Sequence, residues 1–218
     1  MTPIKRENGY ALAPQSLLAW IGVALVASVA LLGVLFLGVP PQIETPQIET
    51  WQLWARYTAR LSFFLFLGVY LASPLYELAQ NKLTHWLRVN RRNAGISFGL
   101  AHIIHLGALI VFLVLSGRPT GLETLIVGGG AYLAMFAMLA TSTDGAIRRL
   151  GAQNWRRLHK FGVHYLAFVF AVTYTGGVGT PEAKPMALIV LIWGAIVLRL
   201  YVHFTKRKPS WAISQRSK

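Results

Sequence analysis

The 218 residues are 55% hydrophobic and only 13% charged, a charged fraction about half that of ordinary soluble domains. This composition excludes a typical soluble enzyme and predicts an integral membrane protein. The absence of cysteine excludes disulfides, thiolate-bound clusters and the CxxCH motif that attaches haem covalently.

Six apolar segments are long enough, or nearly so, to cross a hydrocarbon core as helices, which takes about 20 residues. The segments are Leu17–Val39, Leu61–Leu78, Ala94–Leu115, Leu122–Ala140, Leu158–Thr175 and Met186–Phe204. We therefore predict an all-α integral membrane protein, a bundle of six transmembrane helices within residues 17–204. Residues 1–16 precede the bundle and a basic tail, 205–218, follows it. The first segment is longer than the apolar core of a signal peptide, about 7–15 residues, so we expect it to remain as a span.

The net charge of +14 is concentrated in alternate loops and at both ends of the predicted bundle. Its main contributors are Lys5, Arg6, Lys82, Arg88, Arg91, Arg92, Arg148, Arg149, Arg156, Arg157, Lys160, Lys206, Arg207, Lys208, Arg216 and Lys218. A six-helix topology places all of them on one side of the membrane, as the positive-inside rule expects. Both termini are then cytoplasmic in a multi-pass inner-membrane protein. The basic charge is explained by the lipid bilayer, and no nucleic-acid partner is expected.

The second and third segments carry the first polar features inside apolar sequence. Pro74, near the inner end of the second segment, should kink or finish that helix. The third segment contains His102 and His105 in "FGLAHIIHLGALIVFLV". Gly95 and Gly99 share a helix face with His102, because they are spaced i, i+4 and i+7. Such a small-residue face either seats another helix or clears space beneath a bound ring.

The fifth segment contains a second histidine pair, His159 and His164, in "WRRLHKFGVHYLAFVFAV". An ionisable side chain at membrane depth is costly and indicates function by default. Imidazole is also a common ligand of haem iron. Four histidines in two helices therefore predict a haem within the bundle, with the iron ligated from His102, His105, His159 and His164. Arg56 and Arg60, before the second segment, would snorkel to the outer surface or pair with haem propionates.

Three stretches resemble the ferric-reductase-like transmembrane domain superfamily, with the closest likeness to the haem-binding membrane subunits of methionine sulfoxide reductase systems. They are "ARYTARLSFFLFLGVYLASPLYEL", "RRNAGISFGLAHIIH" and "LATSTDGAIRRLGAQNWRRLHKF". The resemblance covers roughly residues 55–175 and implies haem ligands at His105 and His159. It also matches Arg91 and Arg92 to an arginine pair of the family's quinone region, although both could equally be charges that set the topology.

The chain departs from this family at Val172, where the family has a second ligand thirteen residues after the histidine that matches His159. At about 1.5 Å per residue, His102 and His164 lie roughly 15 Å and roughly 10 Å beyond the basic loops that precede them. We therefore predict that these two histidines form the pair best matched in depth. One b-type haem is expected. A second haem would use His159, with His203 as a candidate partner.

We predict transmembrane electron transfer, because haem iron held by two histidines has no open position for oxygen. Electrons would come from a cytoplasmic flavin reductase or from quinol, so flavin or quinone is a further expected cofactor. The acceptor would be a periplasmic reductase subunit or ferric iron. The chain would act as an electron-transfer subunit of an oxidoreductase, since 218 residues leave no room for a nicotinamide domain.

Two other functions remain open from the sequence. Because of Val172, the chain could be a divergent, haem-poor membrane scaffold or assembly partner. The histidines could also relay protons or metal ions in a transporter, but the segments contain no acidic residue apart from Glu77 and Glu123, both near a segment end.

Overall fold

The computed structural model describes residues 46–176 and 186–205. The predicted first span, Leu17–Val39, the N-terminal segment and the basic tail from residue 206 lie outside these ranges. The described residues form helices and no strands. The helices are α1 Pro46–Leu78, α2 Lys82–Val89, α3 Arg91–Ser116, α4 Leu122–Ala140, α5 Asp144–Leu150, α6 Ala152–Thr175 and α7 Met186–Thr205.

Within the described ranges, four helices are long and apolar enough to cross a membrane. They cover Gln47–Leu78, Arg91–Ser116, Leu122–Ala140 and Met186–Thr205. This confirms a helical membrane protein. The six-span topology stays a prediction, and so does the side on which each end lies. The predicted fifth span lies in α6, whose 24 residues are long enough to cross but are made less apolar by His159, Lys160 and His164.

Helix α1 begins at Pro46, well before the predicted start at Leu61. The predicted segment starts later because the first half of the helix is not strongly apolar. A proline is favourable in the first turn, where no intrahelical partner awaits its missing N–H. At the other end the helix continues through Pro74 and finishes at Leu78. Pro74 therefore lies near the helix end without finishing the helix, and the predicted kink stays a prediction.

Helices α1 and α3 form the most extensive helix pair of the described residues. They run antiparallel, since contacts made nearer the C-terminus of α3 involve residues nearer the N-terminus of α1. Arg91 of α3 donates from Nη1 to Ser73 Oγ of α1 at 2.8 Å. Further along, His102 meets Ser62 and then His105 meets Thr58. Helix α4 packs on α6, and α7 covers both α1 and α6.

An aromatic core fills the space where α1, α3 and α6 meet. The rings of Phe63, Phe66, Phe98, Phe170 and Tyr174 belong to one buried cluster, with centroid separations of 4.8–6.4 Å among their contacting pairs. Offset and edge-on aromatic contacts at such distances are favourable beyond the area that they bury. This core lies directly beside the α3 histidines.

The two glycines on the α3 face have different surroundings. A Cβ placed on Gly99 would lie 2.6 Å from Cδ1 of Leu139, so this position lets α3 and α4 approach closely. A Cβ on Gly95 would meet nothing within 4 Å, because Gly95 faces a cavity. Both expectations for this face, helix seating and cleared space, are therefore met, each by a different glycine.

Candidate haem site

The structure brings His102 and His105 together on the side of α3 that faces α1. Their ring centroids are 5.1 Å apart. His102 is 8% exposed, and its ring lies against Phe98 at 5.3 Å, Tyr132 at 5.0 Å and Phe170 at 5.8 Å. A buried imidazole surrounded by apolar and aromatic groups is costly unless its nitrogens have partners.

A hydroxyl of α1 determines which nitrogen of His102 carries the proton. Ser62 Oγ lies 2.9 Å from His102 Nδ1 and 2.9 Å from the carbonyl oxygen of Ala59. A hydroxyl has one proton to donate. Both hydrogen bonds form only if Ser62 donates to the carbonyl and Nδ1–H of His102 donates to Ser62. The Nε2 atom of His102 then presents its lone pair, the form required for an iron ligand.

His105 has the same arrangement with a longer contact. Thr58 Oγ1 donates to the carbonyl oxygen of Trp54 at 2.7 Å, and it lies 3.4 Å from His105 Nδ1. The carbonyl oxygen of Ala55 is a further acceptor for this imidazole, so the Thr58 bond alone does not decide which nitrogen of His105 carries the proton. At 3.4 Å this bond is weaker than that of His102, so His102 is the more firmly oriented of the two.

Several buried polar atoms of the bundle have no hydrogen-bond partner within the described residues. They are Tyr132 Oη, Tyr174 Oη, Trp54 Nε1, and Oδ1 and Nδ2 of Asn93. Unpaired buried donors are rare in folded proteins and call for an explanation such as a bound group. Tyr132, which carries one of these unpaired hydroxyls, stacks on the His102 ring at 5.0 Å. These features fit a buried haem, a group that needs imidazole ligands in apolar surroundings.

His159 has the opposite protonation. Thr141 Oγ1 donates to the carbonyl oxygen of Ala137 at 2.7 Å and lies 3.1 Å from His159 Nε2. Nε2–H of His159 therefore donates to Thr141, and the lone pair is on Nδ1. Trp155 packs on this ring at 4.3 Å and donates from Nε1 to the carbonyl oxygen of Thr141 at 2.9 Å. Ligation of iron through His159 Nε2 would require the bond to Thr141 to break.

His164 lies on an exposed part of α6. Its Nδ1 is 2.6 Å from the carbonyl oxygen of Lys160, which can only accept, so Nε2 is again the free nitrogen. Its ring is 6.1 Å from Tyr70 and makes no ring contact with His102 in the described residues. The predicted pair of His102 and His164 would need a group bound between the two rings, and it stays a prediction.

Position 172, where a second ligand was expected by resemblance, carries a valine that is 46% exposed. His203 is also exposed, and its one ring contact in the described residues is with Phe204. Neither residue supplies the missing ligand in this arrangement.

A cavity of about 530 Å³ lies between α1, α3, α4, α6 and α7. His159, Gly95, Arg91 and Arg92 all line it, so the structure brings both predicted arginines to the same place as one predicted histidine. Arg199 also lines the cavity, and it was missed by sequence reasoning. An arginine inside an apolar segment is itself a functional signal, which would have found it.

The described residues contain no group of three or more His, Asp or Glu side chains able to hold a bare metal ion. Ligation of haem needs only one or two imidazoles, because the porphyrin supplies the remaining nitrogens.

No protein-family model matches the chain, and no solved structure matches it. Curated relatives do. The chain is 32% identical over 143 residues to the methionine sulfoxide reductase heme-binding subunit MsrQ of Azospira oryzae, covering 63% of this chain and 57% of the relative. It is 28% identical over 151 residues to MsrQ of Yersinia pseudotuberculosis, covering 66% and 71%. The magnetosome protein MamZ of Magnetospirillum gryphiswaldense is 30% identical over 74 residues, 11% of its length.

The chain spans 57% of the Azospira oryzae protein. The expected resemblance to haem-binding subunits of methionine sulfoxide reductase systems is confirmed: the chain is a helical membrane protein that is similar to MsrQ.

Proposed function

We propose that this chain binds haem b within its helical bundle and carries electrons across the membrane as a subunit of an oxidoreductase. One observation carries the proposal. His102 is buried and His105 lies half-buried beside it, and α1 hydroxyls contact both Nδ1 atoms, which leaves Nε2 of His102 free to bind iron. The names of the MsrQ relatives describe a heme-binding subunit, which supports the same reading.

Haem would supply one-electron redox chemistry, and the protein would supply ligation, orientation and a dry site. Ser62 and Thr58 orient the imidazoles. The aromatic core around Phe66 and Phe170 excludes water from their surroundings. One haem is proposed beside the α3 pair, where His102 or His105 would bind the iron from α3 and His164 would be the candidate for a second iron ligand. A second haem at His159 is the weaker part of the proposal, because Thr141 occupies the nitrogen that it would need.

The proposed topology has six spans in the inner membrane of the cell, with both termini in the cytoplasm. Electrons would arrive from a cytoplasmic flavin reductase or from quinol and leave to a periplasmic reductase subunit or to ferric iron. The arginines at the cavity are consistent with a cytoplasmic end, since basic residues favour that side.

An optical spectrum of the purified protein tests the haem proposal. A b-type reduced-minus-oxidised signal is expected, with loss of most haem in His102→Ala and in His105→Ala. His85→Ala is the matched control, because His85 lies in α2 against Tyr76 and away from the α3 pair. Absence of the signal in protein that received haem during expression, or equal haem content in all three variants, would refute the proposal.

A second function, a haem-poor scaffold, is favoured by Val172 alone. It predicts folded protein without haem that still associates with a reductase subunit. The same spectrum separates the two functions.

A further inference from the structure

We propose that the cavity lined by His159 and Arg199 is a binding site for an anionic phospholipid, with the lipid phosphate held by the cations at its rim. This site is separate from the α3 histidines, and a lipid there is the alternative to the second haem at His159.

Charge imbalance is the first reason. The cavity lining contains six cationic side chains and no carboxylate. The six are Arg88, Arg91, Arg92, Arg156, Lys160 and Arg199. Two have acidic partners nearby: Arg92 lies 2.7 Å from Asp144, and Arg88 lies 3.6 Å from Glu77. The other four have no carboxylate within salt-bridge distance in residues 46–176 and 186–205.

Two of the lining cations, Arg199 and Arg91, are held by neutral acceptors. Arg199 donates from Nη1 to the carbonyl oxygen of Tyr70 at 2.6 Å, and its guanidinium lies 4.5 Å from the centre of the Tyr70 ring. Arg91 donates to Ser73 Oγ at 2.8 Å. These contacts fix the position of each guanidinium without neutralising it. Guanidinium groups held in this way are suited to bind a phosphate.

Apolar walls are the second reason. Below the cations the lining includes Phe66, Val69, Met135, Met138, Leu139 and Leu166. Apolar side chains do not stabilise a free inorganic anion, whereas the acyl chains of an amphiphile pack against them. Basic pockets between transmembrane helices at the cytoplasmic side are the sites expected for acidic lipid headgroups. The cavity would hold the headgroup and the first carbons of the chains.

The protonation of His159 argues against haem as the occupant. It is the one imidazole among the described residues that line the cavity, and its Nε2 is engaged by Thr141. A haem here would have propionates to match the cations but no free Nε2 for the iron. Because Nε2 of His159 donates to Thr141, its Nδ1 carries a lone pair and can accept a hydrogen bond from a hydroxyl of a glycerol headgroup.

The test uses the whole protein purified in detergent and reconstituted with phosphatidylglycerol or with phosphatidylcholine. Arg156→Gln combined with Lys160→Gln removes two exposed cations of the rim. Arg148→Gln combined with Arg149→Gln is the matched control, since these two cations lie in α5 and do not line the cavity. Affinity for phosphatidylglycerol is measured by native mass spectrometry and by the rise in Tm on lipid addition. Haem content is measured in parallel.

Each rim cation near an anionic headgroup is expected to contribute about fivefold, so the rim variant should bind phosphatidylglycerol roughly 25-fold more weakly. The control should bind as the parent does, and phosphatidylcholine should bind weakly to all three. Arg91→Gln, which removes one other cation of the cavity lining, provides a second variant if the double variant is poorly folded.

Three results would overturn the proposal. Equal phosphatidylglycerol binding by the rim variant, Arg91→Gln and the control would show that the cations do not hold the lipid. Equal stabilisation by inorganic phosphate would identify a free anion as the ligand. Loss of haem in the rim variant, without loss of lipid, would assign the cavity to haem propionates.

Discussion

Replacement of Ser62 by alanine tests the proposed orientation of His102 directly. The hydroxyl is buried and lies 2.9 Å from His102 Nδ1. It accepts a hydrogen bond from Nδ1–H, so Nε2 stays unprotonated. Without it, Nδ1–H is buried without a partner, which costs about 1–3 kcal/mol. The imidazole escapes this cost by moving its proton to Nε2 or by rotating. Either change removes the lone pair from the iron.

The expected result for Ser62→Ala is a weaker and altered haem site. Loss of an outer-shell hydrogen bond to a ligating histidine typically lowers affinity by about 10–100-fold. A less basic imidazole also donates less to ferric iron, so the midpoint potential should rise. A tenfold change in the ratio of ferric to ferrous affinity corresponds to about 59 mV for a one-electron couple.

The assays are haem titration, a potentiometric titration and the electron paramagnetic resonance spectrum of the ferric protein. Ser62→Thr keeps the hydroxyl and should retain most of the parent's affinity. Thr58→Ala should have a smaller effect, because its contact with His105 is 3.4 Å. If Ser62→Ala matches the parent in affinity, potential and spectrum, the proposed hydrogen bond does not orient an iron ligand.

Three further predictions concern packing, the missing ligand and an ion pair. Gly99→Val should lower the free energy of unfolding by about 1–3 kcal/mol through overpacking against α4, while Gly95→Val, whose Cβ has free space, should cost less; Tm values that rank the other way would contradict this packing. Val172→His should raise the haem-to-protein ratio if the family's ligand position is still accessible, as read from the absorbance of purified protein, and an unchanged ratio would show that it is not. Arg92→Gln should cost below about 1 kcal/mol through its partly exposed partner Asp144, with a coupling energy from a double-mutant cycle with Asp144→Asn; a coupling of zero would show that the 2.7 Å pair adds no stability.

Hydropathy predicts the long apolar helices well and the amphipathic ones less well. The predicted segment Leu122–Ala140 coincides with α4, because α4 is apolar on all sides and ends where polar residues begin. The start of α1 was missed, since the helix continues into a stretch with Glu49 and Arg56 where mean hydropathy falls but helix formation does not.

The short helices α2 and α5 in the basic loops were not predicted, although their capping signals were present. Asn81 Oδ1 accepts from the backbone N–H of Thr84, and Thr143 Oγ1 accepts from that of Ala146. Such side chains satisfy the first free N–H groups of a helix and mark its start. A search for spans alone does not use this information.

The candidate site was predictable on α3 and not on α1. The histidines stand out because ionisable residues in apolar segments are rare. Ser62 and Thr58 are one helical turn apart and therefore share a face, but only the tertiary register shows that this face meets His102 and His105. The protonation of each imidazole depends on the same register, so it could not be read from the sequence.

The antiparallel α1–α3 pair has a consequence for how a cofactor would be acquired. Its polar contacts occur at three heights along the helices, from Arg91 with Ser73 to His105 with Thr58. Sliding or turning α3 by one residue, about 100° and 1.5 Å, would break all three at once. All of these contacts are made by the protein's own groups. The two helices can therefore associate in the bilayer without a cofactor, and a haem bound as proposed would meet imidazoles that α1 has already oriented.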